Sequence, residues 1–244
     1  MKDYFSNHAS DYARYRPTYP DELFDYLYEQ VPNHDTAWDC ATGNGQIAVR
    51  LAERFAYVYA TDLSEQQLAQ APQQPNIIYQ VATAEDASFD NQRFDIVTVG
   101  QAIHWFDFDR FYEVVGETLG NDGLLAVIGY GLHTVSPSVD RIAYQFYEDI
   151  LGNYWDPARR YIEEGYRTIP FPFAEVIAPN FEQSLVWSYA DYVGYLNTWS
   201  AVKHYLRQNA RNPIDLIEAE LKQAWGDERR TVRFPIILRV GRKW

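Results

Sequence analysis

Between Thr36 and Ile128 the chain alternates short apolar runs with stretches of helical periodicity, and that rhythm leaves few folds open. The runs are Thr36–Thr42 (TAWDCAT), Tyr57–Thr61 (YVYAT), Asn76–Ala82 (NIIYQVA), Phe94–Gly100 (FDIVTVG) and Leu124–Ile128 (LLAVI). Each has strand length and few charges. Helical spacing appears at Ile47, Ala48, Leu51, Ala52 and Phe55, and again at Phe108, Phe111, Tyr112, Val115 and Leu119. Strand and helix in alternation predict a parallel sheet covered on both faces. Such sheets bind ligands beyond the carboxyl ends of their strands, where the strand order reverses.

The first strand runs into a glycine turn, Asp39-Cys40-Ala41-Thr42-Gly43-Asn44-Gly45, which then opens a helix. Glycine lets backbone approach a ligand closely, and a helix start offers unpaired N–H groups to polar or anionic atoms. Asp62 closes the second strand 17 residues after Gly45. An acidic group there can accept both hydrogen bonds of a ribose diol. Ser64 and Gln67 predict a capping box for the helix that follows.

Outside this region the pattern is different. Leu23, Phe24, Leu27 and Val31 predict an amphipathic helix near Pro20. Residues 132–180, rich in aromatics and proline, predict a helical insertion. Phe181–Tyr189 and Val232–Val240 predict two more strands, with two or three helices between them. Of those helices, the clearest starts at Asn212-Pro213, turns Ile214, Ile217, Leu221 and Trp225 inward, and stops at Gly226. Pro235 cannot donate to a ladder, so the last strand is expected to bulge at it or begin after it. The resulting division is a lid and first helix (1–35), an α/β core (36–130), the helical insertion (131–180) and a closing segment with cap helices (181–244).

Charge and composition narrow the partners. Residues 1–130 carry 7 Lys and Arg against 20 Asp and Glu, whereas residues 131–244 carry 14 of each. An acidic half repels phosphate backbones, so no nucleic-acid partner is expected. No apolar run reaches membrane-spanning length. The single cysteine, Cys40, permits no intrachain disulfide and is expected to be inert packing. A cytoplasmic protein without a membrane partner is the expectation, and the oligomeric state is left open. The five histidines show no metal-ligand spacing, so no metal is expected.

The turn resembles the first motif of class I S-adenosylmethionine-dependent methyltransferases, Asp-x-Gly-x-Gly-x-Gly, with Ala41 in place of the first glycine. Thr83-Ala84-Glu85 is similar to the Asp-Ala-Glu segment that flanks adenine in that family, with Thr83 in place of Asp. Tyr12-Ala13-Arg14-Tyr15-Arg16-Pro17-Thr18-Tyr19-Pro20 and Gln101-Ala102-Ile103-His104-Trp105-Phe106 resemble a small-molecule (type 11) branch that includes trans-aconitate methyltransferase-like proteins. Thr198-Trp199-Ser200 and Phe234–Arg242 look like that branch too.

The resemblance implies a Rossmann-like α/β fold, a seven-stranded, mostly parallel sheet with a helical cap insertion, and S-adenosyl-L-methionine as cofactor. It implies cofactor binding by Tyr12, Arg16, Ala41, Gly43, Gly45, Asp62, Leu63, Ala84, Glu85, Gln101 and Trp105. Aromatic faces attract a sulfonium, which makes Tyr12, Tyr15, Tyr19 and Trp105 candidates to surround it. Arg16 suits a carboxylate such as the cofactor's methionine end. His104, after the fourth strand, is the catalytic candidate, either as a general base or to orient a substrate hydroxyl. Tyr19, His133, Arg141, Trp199 and Ser200 are candidate substrate contacts. The expected reaction is in-line methyl transfer to a small-molecule acceptor, a carboxylate or another oxygen nucleophile. Two alternatives stand beside it: a non-catalytic cofactor-binding protein, and an NAD(P)-dependent dehydrogenase. The dehydrogenase reading lacks the Gly-x-Gly-x-x-Gly turn it would need, since Gln46-Ile47-Ala48 follows Gly45.

Overall fold

The computed structural model describes residues 14–243. Its centre is an eight-stranded sheet. The strands are β1 (Thr36–Cys40), β2 (Tyr57–Asp62), β3 (Ile77–Val81), β4 (Phe94–Gly100), β5 (Leu119–Tyr130), β6 (Ala174–Val176), β7 (Glu182–Trp187) and β8 (Arg230–Arg242). The order is β3-β2-β1-β4-β5-β8-β6, and β7 also pairs with β8. The pairs among β1 to β5 are parallel, and β8 runs antiparallel to all three of its neighbours. The expected strands are all present within a few residues. Three-residue β6 is an addition that no periodicity in the insertion announced.

The five parallel-paired strands read as apolar because both faces are covered. Their side chains alternate between two cores. Ala37, Ile96, Leu124, Ala126 and Ile128 face one, with Leu23, Phe24 and Leu27 of α1 (Asp21–Glu29) and Ile47 and Leu51 of α2 (Gln46–Leu51). Trp38, Cys40, Val97, Val99, Leu125 and Val127 face the other, with Phe111 and Val115 of a later helix, Phe108–Thr118. Cys40 is fully buried and burial pushes its thiol up, which fits packing and not nucleophilic chemistry.

The short α3 (Glu65–Leu68) starts with the Ser64 side chain accepting the Gln67 N–H, one half of the expected capping box. Helix Phe108–Thr118 is α4 in this numbering. The cap comprises α5 (Pro137–Gln145), a π-helical turn (146–150), α6 (Arg160–Glu163), α7 (Tyr189–Asn197), α8 (Ser200–Asn209) and α9 (Glu218–Trp225). Ser188 and Asp191 form a reciprocal capping box at α7. The expected helix from Pro213 is a 3₁₀ turn followed by α9; Ile214, Ile217, Leu221 and Trp225 are buried as anticipated, and Gly226 stops it with φ +74°.

Pro235 behaves differently from expectation. β8 runs straight through it, because Pro235 stands where the strand changes partner. Residues 230–235 pair with β7 and residues 236–242 pair with β5. Its missing N–H therefore falls at a seam, while its carbonyl accepts from Gly131 N–H at 3.0 Å. No described helix is long and apolar enough to cross a membrane.

Candidate functional site

The strand order reverses between β1 and β4, and the site is built at their carboxyl ends. The turn after β1 needs three left-handed residues in five. Ala41 has φ +54°, Gly43 +57° and Gly45 +81°. Ala41 therefore holds a conformation that costs an L-residue about 1–2 kcal/mol, at the position where the resembling family carries glycine. A Cβ on Gly43 would meet no atom within 4 Å; one on Gly45 would lie 2.7 Å from the Tyr79 hydroxyl. Gly45 is thus fixed by its neighbours as well as its backbone, while Gly43 faces open space where a ligand can approach.

Asp62 closes the turn from the side. Its two carboxylate oxygens accept from Gly43 N–H and Ser64 N–H, both at 2.8 Å. Thr42 N–H donates to the Thr61 carbonyl at 2.9 Å. The end of β2 and the turn after β1 are therefore one rigid rim. Beneath it, Asp39 is buried and accepts from the hydroxyls of Thr42 and Thr98, the latter at 2.8 Å. Burial raises its carboxyl to about 6, against the pull of those hydrogen bonds.

One small cavity adjoins this rim, and a second adjoins the first. The first, about 60 Å³, is lined by Arg16, Tyr19, Asp39, Ala41, Gly43, Gly100, Gln101 and Tyr130, among others. The second, about 40 Å³, lies under the cap and is lined by Arg16, Gln101, His104, Trp105, Trp155, Asp156, Arg159, Ile162, Trp199 and Ser200. Arg16 and Gln101 line both. Gln101 has φ +54° and its amide nitrogen donates to the Tyr130 carbonyl at 3.2 Å. Arg16 donates to the Tyr130 hydroxyl at 2.9 Å and to the Thr198 carbonyl at 3.1 Å, so it ties the entry segment to β5 and to the cap.

His104 occupies a short 3₁₀ turn after β4 and is 7% exposed. Burial, with Arg159 nearby, depresses it to about 3. It is a neutral imidazole at physiological pH and too weak a base to suit general-base catalysis there. Of the two roles left open by the sequence, orientation is the one this environment supports. Its Nδ1 lies 3.2 Å from the Tyr166 hydroxyl.

The structure separates the other candidates. Trp199 and Ser200 wall the second cavity, as does Trp105, while Tyr19 walls the first. Ala84 is buried beside the β3 end, and Glu85 accepts from Asp107 N–H at 3.0 Å, tying that segment to the start of α4. Leu63 is half-buried at the rim beside Asp62. Tyr12 lies outside the described residues. Three expectations need correction. Tyr15 packs against Gly194 on the far side of α7, where its ring leaves no room for a Cβ, and does not line the site. His133 is 3% exposed within a ring cluster of Tyr192, Tyr195, Trp199 and Phe234, where it packs the cap and lines neither cavity. Arg141 is exposed and pairs with Glu220 at 2.6 Å, joining α5 to α9 on the outer surface. Helical spacing cannot distinguish these places from the cavity wall.

Sequence reasoning missed Tyr130, Trp155, Asp156, Arg159, Ile162 and Tyr166. None belongs to a local motif. Arg159 donates from Nε to the Tyr147 hydroxyl at 3.0 Å and stacks over Trp155 at 4.7 Å. Tyr147 in turn donates to Glu163. The guanidinium is thereby held against an aromatic wall, and Arg159 lines the second cavity. Among the described residues, no group of three or more His, Cys, Asp or Glu side chains is placed to hold a metal.

Comparison with known proteins gives a consistent picture. A family described as a methyltransferase domain matches residues 38–127. A methyltransferase-named protein of Dictyostelium discoideum is 30% identical, over 99% of this chain and 95% of its own. An uncharacterised methyltransferase of Mycobacterium tuberculosis is 29% identical, over 70% of this chain and 66% of its own. A solved structure described as a Type II methyltransferase, from Anaeromyxobacter dehalogenans, is 40% identical and superposes with a TM-score of 0.86, covering 93% of this chain and 97% of that one.

Proposed function

The chain belongs to the class I S-adenosylmethionine-dependent methyltransferases, and from that premise we propose that it methylates a small molecule through an ionised oxygen, a carboxylate being the best fit. The observation that carries this reading is the pair of adjoining cavities that share Arg16 and Gln101. One is floored by the Ala41–Gly45 turn. The other is walled by three tryptophans and holds only about 40 Å³, which suits the reacting end of a small molecule.

The residues of the rim fit the cofactor. Asp62 is a fixed carboxylate at the end of β2, placed for a ribose diol, and Gly43 leaves the approach to it open. The first cavity takes only the head of such a ligand, so the remainder lies along Asp62, Leu63 and Ala84. When bound, S-adenosylmethionine supplies a methyl group on a cationic sulfur, and its transfer to an ionised oxygen leaves a neutral thioether and releases no proton. The protein's own task is then alignment and exclusion of water. Arg16 and Arg159 supply positive charge to the acceptor cavity, Trp105, Trp155 and Trp199 exclude water from it, and neutral His104 offers a hydrogen bond without taking a proton. The cavity's two arginines outnumber its one carboxylate, Asp156, and its histidine is too weak a base, a balance that favours an acceptor that is already ionised.

The test is an assay of methyl transfer from radiolabelled S-adenosylmethionine to a panel of small carboxylic acids, matched alcohols and matched amines. Turnover confined to acids supports the reading. Turnover confined to amines or alcohols overturns it.

A further inference from the structure

Tyr166 is an unusual residue for a loop between a short helix and an edge strand. It is fully buried and its backbone is left-handed, with φ +59° directly after Gly165 at +62°. A left-handed tyrosine is strained and persists only where its surroundings over-determine it. Here they do so from three sides. Its carbonyl accepts from Arg239 at 2.7 Å, and the same guanidinium nitrogen donates to the Ile169 carbonyl at 2.9 Å. Its N–H donates to the Tyr161 carbonyl at 2.6 Å. Its ring lies over Gly129 of β5, where a Cβ would stand 2.8 Å from the ring edge.

What the arrangement delivers is one hydroxyl, 3.2 Å from Nδ1 of His104, with the two rings stacked at 22° and 6.0 Å between centroids. Nδ1 is the ring nitrogen that meets Tyr166, and His104 lines the acceptor cavity. An imidazole's free edge is a donor or an acceptor according to what the other nitrogen is doing.

We propose that Tyr166 is a positioning residue for methyl transfer: its hydroxyl donates to His104 Nδ1, which fixes the ring proton on Nε2 and makes His104 a hydrogen-bond donor to the acceptor's oxygen. This deepens the reading given above and rests on it for the acceptor's identity, but the tautomer itself is independent of any substrate. The strain at Tyr166 is then the cost of holding a proton on the cavity side of a buried ring. A donor at Nε2 adds to Arg16 and Arg159, so that donors outnumber the one lining carboxylate, Asp156, around an ionised oxygen group. The opposite tautomer would aim a lone pair at the same anion and repel it.

The experiment is ¹⁵N–¹H correlation spectroscopy of histidine-labelled full-length protein at neutral pH, with His104 assigned by the signal lost in His104→Gln. The expected result is a neutral ring protonated at Nε2 in the wild type and a tautomer mixture in Tyr166→Phe, which removes only the hydroxyl. In turnover, Tyr166→Phe should lower kcat about fivefold to tenfold, the scale of one neutral hydrogen bond, with the cofactor's affinity unchanged. His104→Gln, whose amide nitrogen can stand near Nε2, should retain more activity than His104→Asn. A wild-type ring protonated at Nδ1 overturns the proposal even if Tyr166→Phe does not fold. So does a tautomer that the removal of the hydroxyl leaves unmoved. An Nε2-protonated ring in a protein that methylates only amines would instead leave this proposal standing and sink the carboxylate reading.

Discussion

The donor rim and the acceptor cavity are neighbours built on different principles. The rim is local: Asp39 to Gly45 is one continuous stretch, and Asp62 completes it through hydrogen bonds to Gly43 and Ser64. The cavity is assembled from four distant segments, around Arg16, Gln101–Trp105, Trp155–Ile162 and Trp199–Ser200. The rim is also acidic and backbone-rich, whereas the cavity is aromatic and cationic. The difference is that one half is organised by main-chain geometry, which recurs wherever the same turn is needed, and the other by side chains, which can change with the acceptor.

If the two halves are separable, variants should sort cleanly between them. The largest effect is expected from Asp62→Ala. It removes two charge-assisted backbone bonds together with the proposed ribose contact, and should lower kcat/KM by about 10³-fold. The loss should appear in cofactor binding, with acceptor KM changed far less.

The second contrast is in the response to acid. His104 and His133, on the cap side, are depressed to about 3, whereas Asp39, on the rim side, is raised to about 6. A buried neutral histidine contributes stability that is fully present above the unfolded value of about 6.5 and is lost as pH falls toward 3. Asp39 does the opposite: its contribution is present below about 4 and is lost as pH rises through 6. Between pH 6 and 4 the two histidines outweigh the one aspartate. These three groups should therefore reduce stability by about 1.4 kcal/mol per pH unit on acidification. His133→Phe, which keeps the packing among Tyr192, Tyr195 and Phe234, should make their combined response nearly flat over that interval. Denaturant titrations at pH 6, 5 and 4 provide the check; an unchanged slope would mean that His133 is not held neutral.

Arg159→Met should raise acceptor KM about 30-fold, the scale of one charged hydrogen bond, while cofactor affinity stays within about twofold. An equal rise for acids and for neutral analogues would show that Arg159 serves packing against Trp155 and Tyr147 alone. The smallest effect is expected at Ala41. Ala41→Gly should relieve the left-handed alanine and raise stability by about 1 kcal/mol, partly offset by the freer unfolded chain. Thermal unfolding measures it, and a lower melting temperature would show that the alanine methyl contributes more by packing than its φ costs.

The same contrast explains what the sequence could tell. The sheet was legible because alternation writes itself residue by residue, and Phe94–Gly100 matches its expected bounds at both ends. The rim was legible because its glycines and Asp62 are close in sequence. Arg159 and Tyr166 were not, because nothing near them marks the fold that brings them to His104. His133 and Arg141 were misplaced for a related reason: a histidine and an arginine in a cap read alike whether they face a cavity, a core or solvent. Pro235 shows the limit of a sound rule, since a proline is tolerated in mid-strand where the strand changes partners.

The most direct test of this division is calorimetric titration of S-adenosylmethionine into the wild type, Asp62→Ala and Arg159→Met. Micromolar binding is expected in the wild type, to be lost in Asp62→Ala and kept within about twofold in Arg159→Met. Undiminished binding by Asp62→Ala, or its loss in Arg159→Met, would contradict the placement of the donor on the β1–β2 rim and of the acceptor beneath the cap.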